Sequence, residues 1–416
     1  MASDQPTTDV DPGVDIFLTD LFNDPDFRYN PHPYYRELRE RHPIREYPEL
    51  GEYLLTRWDD CERVLRDPKF SSNQEHRVWP AGTESSSRLA QSAGAADVKT
   101  LLFLDPPDHT RIRGLVSKAF TPRTVEELRP HTTEICDQVL DEAADRGTLE
   151  IVGDLGYQVP VTVICELLGV PLEDRHMFGP LSSDASRLLD GDSLSDEQFN
   201  LGLVAVMQLL GYLNDLFDER RARPGDDLIS ALLAVEEQGD RLDDVELRSI
   251  VLLLFIAGHE TTMNLIGNGM WALLQHPDQL RLLRNDPSLI GSAVEEMLRF
   301  DGPVHLTGRV ATEDLEVGEI VVRKGEQAIT LLAAANRDPA RFPDPERFDI
   351  TREDNRHLTF SHGIHYCLGA ALARVEGQVA IGSLVERFAE IEPLETPHYR
   401  DHFILRGLSS LNVSVK

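Results

Sequence analysis

FSHGIHYCLGAALAR, Phe360–Arg374, is the stretch that decides the fold, because it sets a lone cysteine directly before a strong helix former. A thiolate just before a helix N-terminus is stabilised by the helix dipole and by free N–H groups. Gly363 permits a tight turn, and Gly369 lets the helix backbone approach a flat ligand closely. Phe360 is placed to shield the sulfur from water. These features favour a stabilised thiolate at Cys367.

Two other interpretations of Cys367 follow from the residues alone. A free cysteine is usually a buried, inert residue, and this is the preferred interpretation of the other three cysteines, which are widely spaced and form no C-x-x-C pair. A zinc site could instead be formed by His362, His365 and Cys367. Structural zinc normally takes four ligands with paired spacing, and no second half-site is visible in the sequence.

A long helix is predicted from Asp243 or Asp244 to about Gln275, because this stretch has no proline. Its middle, IVLLLFIAG, is apolar on every face, so we expect it to pass through the centre of the protein. The segment AGHETT, Ala257–Thr262, interrupts this apolar stretch with Glu260 and two threonines. A buried carboxylate is costly without a purpose or a partner. The alternative is a satisfied polar kink in a core helix.

Further polar pairs occur at helical spacing. Glu296 and Arg299 in EEMLR are three residues apart and share a helix face, whereas Glu295 lies on another face and is expected in solvent. His109 and Arg113 in DPPDHTRIRGLVSKAF are four apart and also face together. Taken singly, such pairs are common on solvated surfaces.

The segment around Cys367 resembles the cysteine-ligand loop of the cytochrome P-450 family, whose pattern F-x-x-G-x-[HR]-x-C-x-G it matches at every defined position. The resemblance extends from NPHPYY to the C-terminal strand. It implies haem b, iron protoporphyrin IX, with the Cys367 thiolate as iron ligand; such a ligand favours O–O cleavage. It also implies the family's fold, mainly α with a minor antiparallel β portion, with the haem buried between the long central helix and the cysteine loop.

The same resemblance assigns roles to single residues. AGHETT resembles the family's acid–alcohol pair, so Glu260 is expected to relay protons and Thr261 to act through its hydroxyl group. The family's structural Glu–Arg–Arg triad is implied at Glu296, Arg299 and Arg347. The implied haem propionate contacts are His109, Arg113, Arg309 and His365, and Ala257, Phe360 and Gly369 are also expected against the cofactor. The implied walls of the substrate pocket are Leu253, Ala257, Val304, Leu306 and Leu405, with the loop Ser71–Thr100 and the region Phe178–Gln198.

Composition bounds the domain organisation and location. A formal net charge of −31 argues against binding nucleic acid or an anionic membrane. No uninterrupted apolar run reaches the ~20 residues that span a bilayer, and the polar N-terminus is not a signal peptide. We expect residues 1–15 to be flexible, residues 16–416 to form a single monooxygenase domain, and the protein to be a cytoplasmic monomer.

The implied reaction inserts one atom of O2 into a hydrophobic small molecule by hydroxylation or epoxidation. Electrons are expected from NAD(P)H through a ferredoxin reductase and a ferredoxin, or through a flavodoxin, docking on the cysteine side near Arg111, Lys118 and Arg123. Three alternatives remain. A peroxide-driven peroxygenase would lack the acid–alcohol pair, a haem-binding sensor or carrier would have no turnover, and a cysteine hydrolase would need a base beside Cys367.

Overall fold

The structure is a computed structural model, and it describes residues 24–80, 100–234 and 242–416. The predicted flexible segment 1–15 and residues 81–99 of the predicted loop Ser71–Thr100 lie outside the described residues. That residues 16–416 form a single domain stays a prediction. The described α-helices, numbered in chain order, are α1 Pro25–Tyr29, α2 His32–Arg41, α3 Trp58–Arg66, α4 Asp108–Ser117, α5 Pro122–Glu126, α6 Arg129–Arg146, α7 Gln158–Leu168, α8 Arg175–Arg187, α9 Asp196–Ala222, α10 Leu228–Ala234, α11 Asp244–Gln275, α12 Pro277–Asn285, α13 Ile290–Asp301, α14 Leu332–Ala335 and α15 Ala370–Arg387.

The β portion is small and divided among three sheets. The strands are β1 Ile44–Tyr47, β2 Glu52–Leu55, β3 Phe70–Ser71, β4 Thr148–Glu150, β5 Thr307–Ala311, β6 Leu315–Val317, β7 Ile320–Val322, β8 Gln327–Thr330, β9 Ile391–Pro393 and β10 Asn412–Val415. The largest sheet has the order β1-β2-β8-β5-β3, and the others are β4-β10-β9 and β6-β7. The mainly α class is confirmed. The antiparallel prediction holds except for β2 and β8, which pair in parallel with Tyr53 opposite Ala328.

The central helix α11 is the predicted long helix, and a capping box fixes its start. The Asp243 carboxylate accepts hydrogen bonds from the backbone N–H groups of Val245 and Glu246, and the Glu246 side chain accepts one from the Asp243 N–H. Such reciprocal bonds satisfy donors that the first helical turn leaves free. Its 32 residues give a length of about 48 Å. The helix contacts α7, α8, α13 and α15, so it passes through the core as predicted.

Two antiparallel pairs of strands follow each other directly in the chain, namely β1 with β2 and β6 with β7. Strand β5 carries Arg309, and the turn before α15 carries Cys367. These two elements approach α11 from different directions, which places their polar side chains around one site.

Three helical stretches are long and apolar enough on average to cross a membrane, namely Ile151–Leu168, Asp196–Ala222 and Asp244–Gln275. This finding rests on length and composition alone. In Asp244–Gln275, 72% of the apolar window is buried inside the protein. Packing in the protein core therefore accounts for the apolar character of this helix.

Candidate functional site

The cysteine loop is held in one conformation by its backbone. Gly363 has a φ of 70°, and a Cβ atom at this position would meet the Leu65 carbonyl oxygen at 2.5 Å. The N–H of Cys367 donates to the Phe360 carbonyl at 2.9 Å, and α15 begins three residues later at Ala370. Glycine is thus required for the turn, and the turn places the thiol at a helix N-terminus as the sequence predicted.

Cys367 faces a cavity of about 290 Å3 that lies between the cysteine loop and α11. Protein surrounds Cys367 on most sides, and the exposed part of the residue faces this cavity. Burial raises the pKa of the Cys367 thiol, while the Gly369 N–H and the charges of Arg113 and Arg374 oppose this rise. Most of the predicted site residues line the cavity, namely Arg113, Leu253, Ala257, Thr261, Val304, Arg309, Phe360, His365, Cys367 and Gly369.

One side of the cavity gathers cationic and hydrogen-bonding groups. The rings of His109 and His365 lie 4.3 Å apart between centroids, and the Nε2 atom of each is buried without a hydrogen-bond partner among the described residues. Arg113 and Arg309 border the same cavity. Burial, together with Arg309, His109 and Arg113, lowers the pKa of His365 to about 3. Such a cluster fits an anionic ligand that accepts hydrogen bonds, as haem propionates do.

The rest of the cavity fits a flat apolar group. A Cβ atom at Gly369 would have no atom within 4 Å, so the start of α15 leaves room for close approach of a ring. Ala257 and Thr261 line the cavity from α11. The described residues contain no group of three or more His, Cys, Asp or Glu side chains able to hold a metal ion, so the zinc alternative gains no support. The residues present therefore fit haem with Cys367 as the protein ligand.

The acid–alcohol pair is divided between two environments. The Thr261 hydroxyl donates to the Ala257 carbonyl at 3.0 Å and lines the cavity. Glu260 is only 2% exposed, does not belong to the described lining, and accepts a hydrogen bond from Arg400 Nη1 at 3.0 Å. In this structure the predicted relay acid is thus paired with a residue that the sequence interpretation did not single out.

Glu376 on α15 is a second buried carboxyl group that the sequence interpretation missed. It lines the cavity and is 1% exposed, and neither carboxyl oxygen has a hydrogen-bond partner among the described residues. Burial raises the pKa of Glu376 to about 8, and a contact with the Thr262 hydroxyl only partly offsets this. The acidic residue in LARVEG, between the apolar residues of this helix, was the available signal.

Two residues of the predicted triad bind each other, and a different arginine takes the place of the third. Arg299 donates to Glu296 from Nε and Nη2, each at 2.8 Å, and both side chains are fully buried. The second arginine is Arg352, whose Nε lies 3.1 Å from Glu296 Oε2. The predicted Arg347 has a 64% exposed side chain near Asp349. It contributes only its backbone carbonyl, which accepts from Arg299, because the turn directs its side chain to the surface.

Glu295 is not a solvated residue, so this expectation is wrong. Its carboxylate accepts hydrogen bonds from Arg374 and from His357 at 3.2 Å, and it is 26% exposed. Burial alone would raise the pKa of Glu295, but these two partners lower it to about 2. Arg374 also lies over the Phe360 ring, 4.5 Å from its centroid. The contact ties α13 to the cysteine loop.

Two predicted substrate-wall residues lie elsewhere. Leu306 packs in a hydrophobic cluster with Leu54 and Leu331, and Leu405 pairs with Val304 in an isolated β-bridge. Neither belongs to the described cavity lining. Phe178 is a core residue that is 1% exposed, and the predicted wall Phe178–Gln198 likewise contributes nothing to the described lining. The assignment of these positions to the walls of the substrate pocket stays a prediction.

The sequence model of the family described as cytochrome P-450 matches residues 74–410. The vitamin D(3) 25-hydroxylase of Pseudonocardia autotrophica is 45% identical over 95% of this chain and 96% of its own. The 6-deoxyerythronolide B hydroxylase of Saccharopolyspora erythraea is 40% identical over 91% of this chain and 94% of its own. The crystal structure of Mycobacterium smegmatis CYP164A2 is 42% identical, covers 96% of this chain and 99% of its own, and superposes with a TM-score of 0.86.

Proposed function

Because this chain belongs to the cytochrome P-450 family of monooxygenases, we propose that it inserts one atom of O2 into a hydrophobic small molecule by hydroxylation or epoxidation. The observation that carries the proposal is the placement of Cys367, at a helix N-terminus and on the wall of an apolar cavity. The cofactor is haem b, bound through the Cys367 thiolate, and when bound it supplies the activation of O2.

The net reaction consumes one substrate C–H or C=C bond site, one O2, two electrons and two protons, and it yields the oxygenated product and water. His109, Arg113, Arg309 and His365 would bind the two propionate groups. Arg113, Arg309 and His365 line the cavity, and the His109 ring lies 4.3 Å from the His365 ring between centroids. Phe360 excludes water from the sulfur. Thr261 would present its hydroxyl group as a hydrogen-bonding group at the cavity wall, and Glu260 would supply protons at its carboxyl group.

The electrons come from NAD(P)H through a ferredoxin reductase and a ferredoxin, or through a flavodoxin. Docking takes place on the face that carries the cysteine loop, where Ile364 and Tyr366 are exposed. Of the predicted basic patch, Arg123 is 90% exposed and pairs with Glu127 on the surface, whereas Arg111 is 28% exposed and pairs with Glu246. We further propose a cytoplasmic monomer that binds neither membrane nor nucleic acid.

The substrate is hydrophobic, since the cavity walls around α11 are Leu253, Leu254, Ala257 and Ile250 and apolar walls favour apolar ligands. Vitamin D3 and 6-deoxyerythronolide B, the molecules in the names of two relatives, are the first compounds to test. Binding is detected as a substrate-induced change in the absorption spectrum of the haem-loaded protein.

The deciding experiment records the absorption spectrum of the reduced, haem-loaded protein with and without carbon monoxide. We expect the long-wavelength Soret band of a thiolate-ligated haem, lost in Cys367→Ser and retained in the control Cys136→Ala, since Cys136 is buried in the core. An unchanged spectrum in Cys367→Ser contradicts the ligand assignment. NADPH with surrogate redox proteins should then yield product; a normal spectrum without turnover on any bound compound would favour a haem sensor or carrier.

A further inference from the structure

The side chain of Arg374 lies against the cysteine loop but outside the cavity. Its Cζ atom is 4.5 Å from the centroid of the Phe360 ring, and its Nη1 donates to the Tyr366 hydroxyl at 3.1 Å. Both of these residues flank Cys367, because the Cys367 N–H donates to the Phe360 carbonyl and Tyr366 directly precedes Cys367 in the chain. Arg374 does not belong to the described cavity lining, so it is not one of the groups that fit the propionates.

Glu295 of α13 fixes the position of this charge. Its carboxylate accepts hydrogen bonds from Nε and Nη2 of Arg374, at 2.6 and 3.0 Å. It also accepts one from His357 Nε2 at 3.2 Å, while His357 Nδ1 accepts the Thr359 N–H. Paired contacts between an arginine and a carboxylate restrict the geometry of both groups. The pair is therefore a defined feature of the fold and not a loosely held surface contact.

The two charges of the pair are not equivalent with respect to Cys367. Nε and Nη2 of Arg374 bind Glu295, whereas Nη1 binds Tyr366. The guanidinium group thus lies between α13 and the cysteine loop, and the positive end of the pair is the end that faces the loop. The two side chains are only 26% and 30% exposed, so solvent screens their charges less than those of fully exposed residues.

We propose that Arg374, held by Glu295, is a positioning residue that acts through the Cys367 thiolate and that its positive charge raises the reduction potential of the haem iron. The inference rests on the proposed monooxygenase function. Reduction adds one negative charge at the iron, and a nearby positive charge stabilises the reduced state. In this step one electron leaves the reduced ferredoxin or flavodoxin and enters the iron, and no bond to a protein residue forms or breaks. Arg374 favours this electron transfer, and the negative charge of Glu295 limits the effect.

Partner docking alone is the competing role for Arg374, because its neighbour Tyr366 is exposed on the face proposed for the redox protein. The two roles differ in what they require. Docking needs the partner, whereas a charge acts on the iron in the isolated protein. A reduction titration without any redox protein therefore separates them.

The test is a spectroscopic titration of the haem-loaded protein with dithionite and redox dyes, at constant pH and ionic strength. Arg374→Gln should lower the equilibrium constant for reduction by about tenfold, which corresponds to about 59 mV for one electron. Glu295→Gln should shift the potential in the opposite direction, because it leaves the Arg374 charge without its counter-ion. The double variant Glu295→Gln/Arg374→Gln should lie between the two single variants, and Arg374→Lys should lie close to wild type.

Arg387→Gln is the matched control. Arg387 is the last residue of α15 and pairs with Asp141 of α6. The control therefore makes the same change of charge on the same helix, about 20 Å along the axis from Arg374. It should leave the potential unchanged.

A purely structural role of the pair would shift both single variants in the same direction and the double variant at least as far, and this result overturns the inference. So does an unchanged potential in Arg374→Gln, or an equal shift in Arg387→Gln. If Arg374→Gln does not retain haem, the opposite shift of Glu295→Gln and the wild-type potential of Arg374→Lys decide the question. A wild type without the thiolate-type spectrum refutes the proposed function itself, whereas a thiolate-type spectrum with potentials that do not follow the charges refutes only this inference.

Discussion

Thr261 is the residue of α11 whose hydroxyl group both reaches the cavity and remains bonded to its own helix, through the Ala257 carbonyl. We expect Thr261→Ala to retain haem and its thiolate-type spectrum but to divert much of the electron flow from product to hydrogen peroxide. Thr261→Ser keeps the hydroxyl group and should stay close to wild type. The measurement is the ratio of product to NADPH consumed. Full coupling in Thr261→Ala contradicts the role given to the hydroxyl.

The buried carboxyl group of Glu376 leads us to predict how the free energy of unfolding of the protein changes with pH. Because its folded-state pKa is raised to about 8, the folded protein retains a proton that the unfolded chain, with an ordinary pKa of 4.5, has already lost. The free energy of unfolding therefore falls as pH rises from about 4.5 to about 8. Glu376→Gln removes this cost. Its unfolding free energy should exceed that of wild type by roughly 3 kcal/mol at pH 8 and by little at pH 5.

Urea unfolding at the two pH values checks this expectation, and Glu295→Gln is the matched control. The pKa of Glu295 is lowered to about 2, so its stabilisation is present above about pH 4.5 and is lost only as pH falls from there towards about 2. Glu295→Gln should therefore be less stable than wild type at both pH 5 and pH 8. An identical gain of Glu376→Gln at pH 5 and pH 8 would show that its effect does not come from ionisation.

At the scale of elements, the segment 343–355 carries two arginines, and only one of them binds α13 through its side chain. Arg352 donates to Glu296 and to the Pro343 carbonyl, whereas the Arg347 side chain is mostly exposed. Arg352→Ala should reduce the free energy of unfolding by about 2–3 kcal/mol, since it removes charge-assisted bonds to a buried carboxylate. Arg347→Ala should change it by no more than about 0.5 kcal/mol. Denaturant unfolding and haem retention are the measurements; the opposite ranking would restore Arg347 to the triad.

The same segment illustrates what sequence patterns can and cannot predict. The long proline-free apolar stretch identified α11, and the cysteine loop with its two glycines identified Cys367 as the candidate ligand, because both features are local. The choice between Arg347 and Arg352 depends on how a segment without regular structure turns over α13, and local spacing carries no such information.

Side-chain direction within a correctly predicted element was equally hard to foresee. Glu260 and Thr261 are neighbours in the sequence, yet one faces Arg400 and the other the cavity. Successive helical residues point about 100° apart, so which of them meets a partner depends on the position of Arg400, which is 140 residues from Glu260 in the chain. The partner of a buried acid is a tertiary property, and only the structure reveals it.

For the whole molecule, the net charge of −31 predicts a response to salt. Repulsion among like charges opposes the compact state, and salt screens it. We expect the urea unfolding midpoint to rise when NaCl is increased from about 0.05 M to about 0.5 M, where the screening length falls severalfold. A falling midpoint would mean that attractive ion pairs, such as Arg400–Glu260, outweigh the overall repulsion.

The contacts of Arg406 can form only late in the synthesis of the chain. Its guanidinium group binds Asp301 and the carbonyl groups of Arg28 and Tyr29, so it joins stretches made at very different times. When synthesis has reached α11, Arg400 has not yet been made, so Glu260 has no partner. The carbonyl groups at the end of α1 likewise lack their contact with Arg406. Helices can form early, as domains emerge from the ribosome starting with their N-terminal parts. The contacts that join Asp301 to α1 through Arg406, however, form only after residue 406 has left the ribosome, so we expect a nascent chain stalled before this point to lack them.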